Sequence, residues 1–154
     1  MKRLMFLGAP GVGKGTYAGR IAPKLQIPTI STGDLIRAEI KTQSELGKQF
    51  SSYVNKGQLL PHELIMKVVQ IRLDKPDCKS GYLLDGFPRT IPQAEDLQNF
   101  SPLNLVINID LKEEYLMEKI MGRRVCPCCN KNFNIAHIRN EKVSRNAIKV
   151  KVED

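Results

Sequence analysis

Gly8-Ala9-Pro10-Gly11-Val12-Gly13-Lys14-Gly15-Thr16 follows the short apolar run Leu4-Met5-Phe6-Leu7 and leads into a segment of helical period from Thr16 to Leu25. Glycines at this spacing let the backbone curl. Successive N–H groups and the positive end of the following helix then converge on one point, where the lysine adds a mobile charge. A strand, such a turn and a helix together make a cradle for polyphosphate. The strict phosphate-loop pattern places Ser or Thr directly after the lysine; here Gly15 intervenes and Thr16 follows. The alternative is a glycine-rich turn with an ordinary solvated lysine, and the strand-loop-helix context decides against it.

Outward from that loop, short apolar runs alternate with longer helical segments. Tyr82-Leu83-Leu84 and Leu105 to Ile109 are closed by Gly or Asp and read as parallel strands buried on both faces. Ile27 to Ile30, interrupted by Pro28, is a weaker strand. Pro23 should end or kink the first helix early. Ser31-Thr32-Gly33-Asp34 starts a second helix with Leu35, Ile36 and Ile40 on one stripe and Arg37 beside it. A third runs from Ser44 to Asn55 and stops at Gly57. Pro61-His62-Glu63 opens a fourth with Leu64, Ile65, Val68, Val69 and Leu73 inward. Pro92 to Asn99 and Lys112 to Met121 follow, the latter ending at Gly122. Strands alternating with helices make an α/β layer fold with a parallel sheet. Residues 31–60 put consecutive helices between strands and are expected to form a helical insertion standing off the sheet. Residues 123–154 begin as a Cys-rich insertion and lapse into a polar, basic tail with a small alternation at Ile148, Val150 and Val152.

At 154 residues, 42% apolar and 26% charged, the chain is long enough for one well-buried domain with small insertions, which excludes disorder throughout and a collagen-like repeat. Three of the four cysteines crowd into Cys126-Pro127-Cys128-Cys129. That spacing argues against a disulfide framework and for a reducing compartment. No run approaches the ~18 apolar residues of a membrane span, and no signal peptide is read ahead of Gly8. The expectation is a cytoplasmic protein, with an organellar location left open, and no membrane partner. The net charge of +8 is uneven: residues 1–118 carry 15 basic and 13 acidic side chains, residues 119–154 carry 9 and 3. The body is nearly neutral, so a nucleic-acid partner is not expected, although the basic tail keeps a nucleic-acid-binding module as a third reading.

Leu84-Asp85-Gly86-Phe87-Pro88-Arg89 lies at the carboxyl end of a buried strand, where ligands bind in open parallel sheets, so Asp85 should face the same crevice as Lys14. A carboxylate there can hold Mg²⁺ through water, and Arg89 offers a planar fork for a phosphate. The plainer alternative has Asp85 capping a turn and Arg89 paired with a surface acid.

With these residues in place, the sequence resembles the adenylate kinase family over residues 1 to about 137. The matching stretches are GAPGVGKGT (8–16), STGDLIRA (31–38), ELGKQ (45–49), GQLLP (57–61), GYLLDGFPRTIPQA (81–94) and GRRVCPCC (122–129). The resemblance implies transfer of the terminal phosphoryl group of ATP to AMP with Mg²⁺. It implies a phosphate-loop core in residues 1–30 and 61–122, a helical AMP-binding insertion at 31–60, and a partial lid followed by an atypical tail at 123–154. By the same resemblance Gly11, Val12, Gly13, Lys14, Gly15 and Thr16 hold the ATP phosphates, with Lys119 and Arg123 on the ATP side and Asp85 on Mg²⁺ through water. Thr32, Arg37, Gln58, Leu59, Leu60, Gly86, Phe87, Arg89 and Gln93 match the AMP site. Phosphoryl transfer spreads negative charge over equatorial oxygens and needs positioning more than covalent chemistry, and by the resemblance Lys14, Arg89 and Arg123 have the charge-stabilising task. The Gln93 amide offers a donor and an acceptor to the adenine edge, which favours AMP over UMP or CMP. The donor base stays open between ATP and GTP.

Cys126 and Cys129 resemble the first half of a zinc-bearing lid. The second pair has no counterpart: His137 is the only spare ligand type, Glu141 or Asp154 are poor substitutes and Cys128 is excluded by its neighbour, so half a site and a bound metal are equally open. Lys119 stands where the family has an arginine, which keeps charge but loses the fork. Nothing matches the acidic lid segment, the closing strand or the closing helices, which implies a chain cut short within the lid. The expected state is a monomeric enzyme. Its alternative is a nucleotide-binding fragment without turnover.

Overall fold

In the computed structural model, which describes residues 1–128 and 132–135, the phosphate-cradle run is preceded by strand β1 (Lys2–Leu7) and followed by helix α1 (Lys14–Leu25). Then come β2 (Thr29–Ser31), α2 (Thr32–Thr42), α3 (Glu45–Asn55), α4 (His62–Leu73), a single 3₁₀ turn at Pro76–Cys78, β3 (Gly81–Asp85), α5 (Ile91–Phe100), β4 (Leu105–Asn108), α6 (Glu113–Met121), β5 (Arg123–Val125) and β6 (Asn132–Asn134). The chain forms two units. One comprises Met1–Leu7 with Lys14–Asn108; the other gathers Gly8–Gly13 and the described residues from Ile109 onward.

The first unit carries a parallel four-stranded sheet in the order β2-β3-β1-β4. Phe6 stands opposite Asp85, Ile30 opposite Leu84 and Met5 opposite Val106. From β1 the chain goes to β2 on one side, and from β3 it crosses back over β1 to β4. The direction therefore reverses between β1 and β3, and the crevice outside their carboxyl ends is the topological switch point where open α/β sheets bind ligands.

One core holds this unit together. Met5, Ile30, Phe50, Val68, Val69, Cys78, Tyr82, Leu84, Phe87 and Leu97 are buried in a single cluster, with Leu35, Ile36, Ile40, Leu46 and Leu60 packed against it. The stretch 31–60 therefore does not stand off the sheet as expected. Its apolar stripe closes over the sheet's core, with Phe50 of α3 fully buried, because an amphipathic helix pair gains most by covering apolar surface already present. Two capped starts set its geometry: the Ser31 hydroxyl accepts from the Asp34 N–H and the Ser44 hydroxyl from the Gly47 N–H. Ser44 also donates to the Glu39 carboxylate. A Cβ on Gly47 would collide with the Glu39 carbonyl, so glycine lets α2 and α3 approach backbone to backbone. The expected inward set of α4 is found, with Val68 and Val69 buried and Leu64, Ile65 and Leu73 against the core.

Two local expectations were wrong. Pro23 does not shorten α1, because it falls in the last turn, where only one carbonyl loses its partner. The helix ends at Leu25 in a Schellman closure, with Gln26 at φ 56°, the Gln26 N–H on the Pro23 carbonyl (3.2 Å) and the Ile27 N–H on that of Ala22 (3.1 Å). β4 is not buried on both faces: Leu105 and Val106 are 52% and 49% exposed. It pairs with β1 alone among the described residues, and an apolar run specifies a pleated strand without specifying layers to cover it.

In the second unit, β5 and β6 form an antiparallel pair with Arg123 opposite Asn134. The Ile135 N–H reaches the Gly122 carbonyl (2.8 Å), and the Asn134 side-chain amide donates to the Lys119 carbonyl (2.7 Å), which fastens the pair to the end of α6. No helix among the described residues is long and apolar enough to cross a membrane.

Candidate functional site

Gly8, Gly11 and Gly13 take φ values of 141°, 85° and 112°, a backbone that side chains other than hydrogen rarely allow. A Cβ on Gly8 would collide with the Ile109 carbonyl. The loop they shape is closed by the Val12 N–H on the Ala9 carbonyl (3.3 Å), with Val12 itself buried. Lys119, on α6, donates to the Val12 carbonyl at 3.4 Å, so the second unit brings together two groups singled out in the sequence, the loop and this lysine. Arg123 opens β5 and is exposed.

Lys14 is the first residue of α1, and Asp85 the last of β3. A Cβ on Gly15 would stand 3.3 Å from Asp85 Oδ2, so the start of α1 lies against the carboxylate. Burial pushes the Asp85 carboxyl above the usual carboxylate range. The Lys14 charge pulls it back, Asp34 raises it and Arg89 lowers it. Asp85 thus sits in a field made by two cations and another acid.

The residues that follow β3 help to line a cavity of about 250 Å³, the scale of one small ligand rather than a macromolecular groove. Thr32, Gly33 and Ile36 of α2 form one side, Gln58, Leu59 and Leu60 from the α3–α4 connection another. Ile65 of α4, Gly86, Phe87 and Arg89 after β3, and Gln93 of α5 complete it. Polar ties hold the walls: Thr32 Oγ1 donates to the Gly86 carbonyl (3.2 Å), as does Arg89 Nε (2.7 Å). The Arg89 N–H donates to Gln93 Oε1 at 2.8 Å, and the Thr90 hydroxyl caps α5 by accepting from the Gln93 N–H (3.4 Å). His62 and Asp96, 2.8 Å apart, join α4 to α5.

Eight of the nine residues matched to an AMP site line this one cavity: Thr32, Gln58, Leu59, Leu60, Gly86, Phe87, Arg89 and Gln93. Arg37 does not. Its guanidinium is held by Asp34, Nη2 to Oδ1, at 2.5 Å. Gln93 is buried, and its oxygen accepts from a backbone donor while keeping a second lone pair, so the amide still has a donor and an acceptor to offer a ligand. Leu59 lines the cavity although it is 94% exposed. Gly33, Ile36 and Ile65 were missed; the signal was helical spacing, since Ile36 falls one turn beyond Thr32 on the same face.

Cys126 is half-buried and Cys128 exposed. Cys129, His137, Glu141, Asp154 and the alternation at Ile148, Val150 and Val152 lie outside the described residues. Among the described residues no three His, Cys, Asp or Glu side chains come together as a metal site.

A family model described as adenylate kinase matches residues 6–153. The chain is 48% identical over 136 residues to an adenylate kinase of Solanum tuberosum, covering 87% of this chain and 47% of that protein. It is 49% identical over 138 residues to an adenylate kinase of Caldanaerobacter subterraneus subsp. tengcongensis, covering 86% and 62%. With a chloroplastic adenylate kinase of Arabidopsis thaliana it shares 47% over 136 residues, covering 87% and 48%. The chain thus spans about half to two thirds of the length of the curated relatives it matches.

Proposed function

The chain belongs to the adenylate kinase family, and from that premise we propose that it transfers the terminal phosphoryl group of ATP to AMP, giving two nucleoside diphosphates. The observation that carries this reading is one cavity lined by eight of the matched residues, drawn from four separate stretches of sequence, among them one buried amide, Gln93, and one arginine, Arg89. In this reading AMP enters there, its base against Ile36, Leu60, Ile65 and Phe87 and its ring nitrogen accepting from the Gln93 NH₂. Arg89 faces its phosphate. Gly11, Val12, Gly13, Lys14, Gly15 and Thr16 take the ATP phosphates through backbone N–H groups. Lys119 and Arg123 add charge on the ATP side.

The residues' task is to hold donor and acceptor in line and to neutralise charge as the phosphoryl group passes between them. Lys14 stands on the transferred group, Arg89 on the acceptor's phosphate and Arg123 on the donor's. The half-buried Asp85 carboxylate, close to where the phosphates would meet, suits Mg²⁺ held through water. The ion supplies neutralisation of the polyphosphate charge when bound. We read the working unit as a monomer, in the cytoplasm or an organelle, needing no partner beyond its nucleotides.

A coupled assay for ADP formation from ATP and AMP tests the proposal, and nucleotide binding without ADP formation is the result that replaces it with a holding fragment. Exchanging Gln93 for leucine should weaken AMP by about ten- to a hundredfold, the range for an unpaired buried polar group, with ATP affinity unchanged in separate titrations. Equal weakening of both nucleotides contradicts the placement of the acceptor base.

Zinc fits less well. Of the sequence's candidate ligands, the described residues contain Cys126 and Cys128 but no group of three donors, whereas a structural site needs four. We expect substoichiometric zinc by elemental analysis and a melting temperature little changed by a chelator, since only a complete site contributes its binding energy to folding. One tightly held zinc per chain, with marked destabilisation on chelation, reverses this.

A further inference from the structure

Arg37 is the one residue matched to the AMP site that the cavity lacks, and the reason is Asp34. Both lie in the first turns of α2, three residues apart, with a single contact between Nη2 and Oδ1 at 2.5 Å. The two side chains are 71% and 73% exposed, so water screens the pair and it holds weakly. The guanidinium is nevertheless close to the cavity wall: its Nη1 is 3.3 Å from where a Cβ would stand on Gly33, and Gly33 lines the cavity. Glycine puts no side chain between that guanidinium and the space beyond. Arg89, also in the cavity lining, is fixed by its Nε on the Gly86 carbonyl. The cavity therefore has one cation in its lining and a second just outside it on a carboxylate that, among the described residues, makes one ion pair.

We propose that Asp34 is a placeholder for the acceptor's phosphate: it holds the Arg37 guanidinium beside the cavity until an anionic ligand takes it over, and so sets the affinity for the phosphate end of the acceptor without touching the base end. The proposal rests on the reading of this cavity as the AMP site. A phosphate offers the guanidinium fork two parallel acceptors and greater charge where the carboxylate offers one, so the exchange runs toward the ligand. Asp34 also stays nearby as a like charge and works against the phosphate after the exchange. Asp34 is thus a positioning residue, acting through Arg37, with a cost to affinity that a neutral side chain would remove.

The test uses the whole 154-residue chain, with inorganic phosphate, AMP and adenosine titrated separately into wild type, Asp34→Asn, Asp34→Glu and the double variant Asp34→Asn with Arg37→Ala. Asp34→Asn is expected to tighten phosphate and AMP about two- to fivefold, the scale of one exposed charge pair, with adenosine unchanged. Asp34→Glu should restore wild-type affinities, and Arg37→Ala should erase the gain. A merely structural role for Asp34 would instead move all three ligands together. Phosphate affinity that is unchanged or weaker in Asp34→Asn overturns the proposal, whether or not AMP binds. If phosphate tightens as expected while AMP and adenosine do not bind even the wild type, the placeholder stands and the reading of the cavity as an AMP site falls.

Discussion

Lys14→Met is expected to lower phosphoryl transfer by about a hundredfold or more, the usual loss when a group that stabilises developing charge is removed. Lys14 begins α1 directly after a loop that holds Gly8, Gly11 and Gly13 at positive φ, and its charge reaches the half-buried Asp85 carboxylate. Methionine keeps an unbranched apolar side chain of similar reach and a good helix propensity, so the fold should survive with a stability change within about 0.5 kcal/mol. Turnover in a coupled ADP assay and thermal melting of the same preparation separate the two effects. Activity within about tenfold of wild type removes Lys14 from the mechanism.

Phe50→Ala is expected to cost about 3–5 kcal/mol, the range for truncating a buried aromatic, out of a typical total of about 5–15 kcal/mol. Phe50 has no exposed surface and sits in the cluster that includes Met5 and Leu84 of the sheet. Its loss opens a cavity where α3 meets that core, so the effect should appear as a lower urea midpoint. AMP binding should suffer before the rest of the fold does, because the connection carrying Gln58, Leu59 and Leu60 leaves from the end of α3. A cost below about 1 kcal/mol shows that α3 is not part of the common core.

Much of this was legible in order of residues alone. The glycine turn between β1 and α1 was legible because its geometry is local: glycines, a lysine and a helix start fall within nine consecutive residues. Helices α2 to α5 followed from caps and apolar spacing, which are also short-range. That Thr32, Gln58 to Leu60, Gly86, Phe87, Arg89 and Gln93 belong together came only through resemblance, since nothing local ties Thr32 to Gln93; the fold gathers these eight around one cavity and leaves Arg37 outside it.

What the linear order does not contain is which partners a side chain finds once distant segments pack. The crossing of β3's connection over β1 places Asp85 at the switch point, and the Arg89 N–H donates to the Gln93 amide oxygen. The apolar stripe of residues 31–60 was readable, but its destination on the sheet's core was not, because hydrophobic burial is non-directional and a stripe does not say which surface will cover it. For the same reason β4 read as a buried strand although its side chains are half exposed. Arg37 shows the limit most clearly: its place in STGDLIRA was evident from the sequence, while its ion pair with Asp34, outside the cavity it was matched to, is a choice among charged neighbours separated by little energy, which only the folded backbone makes.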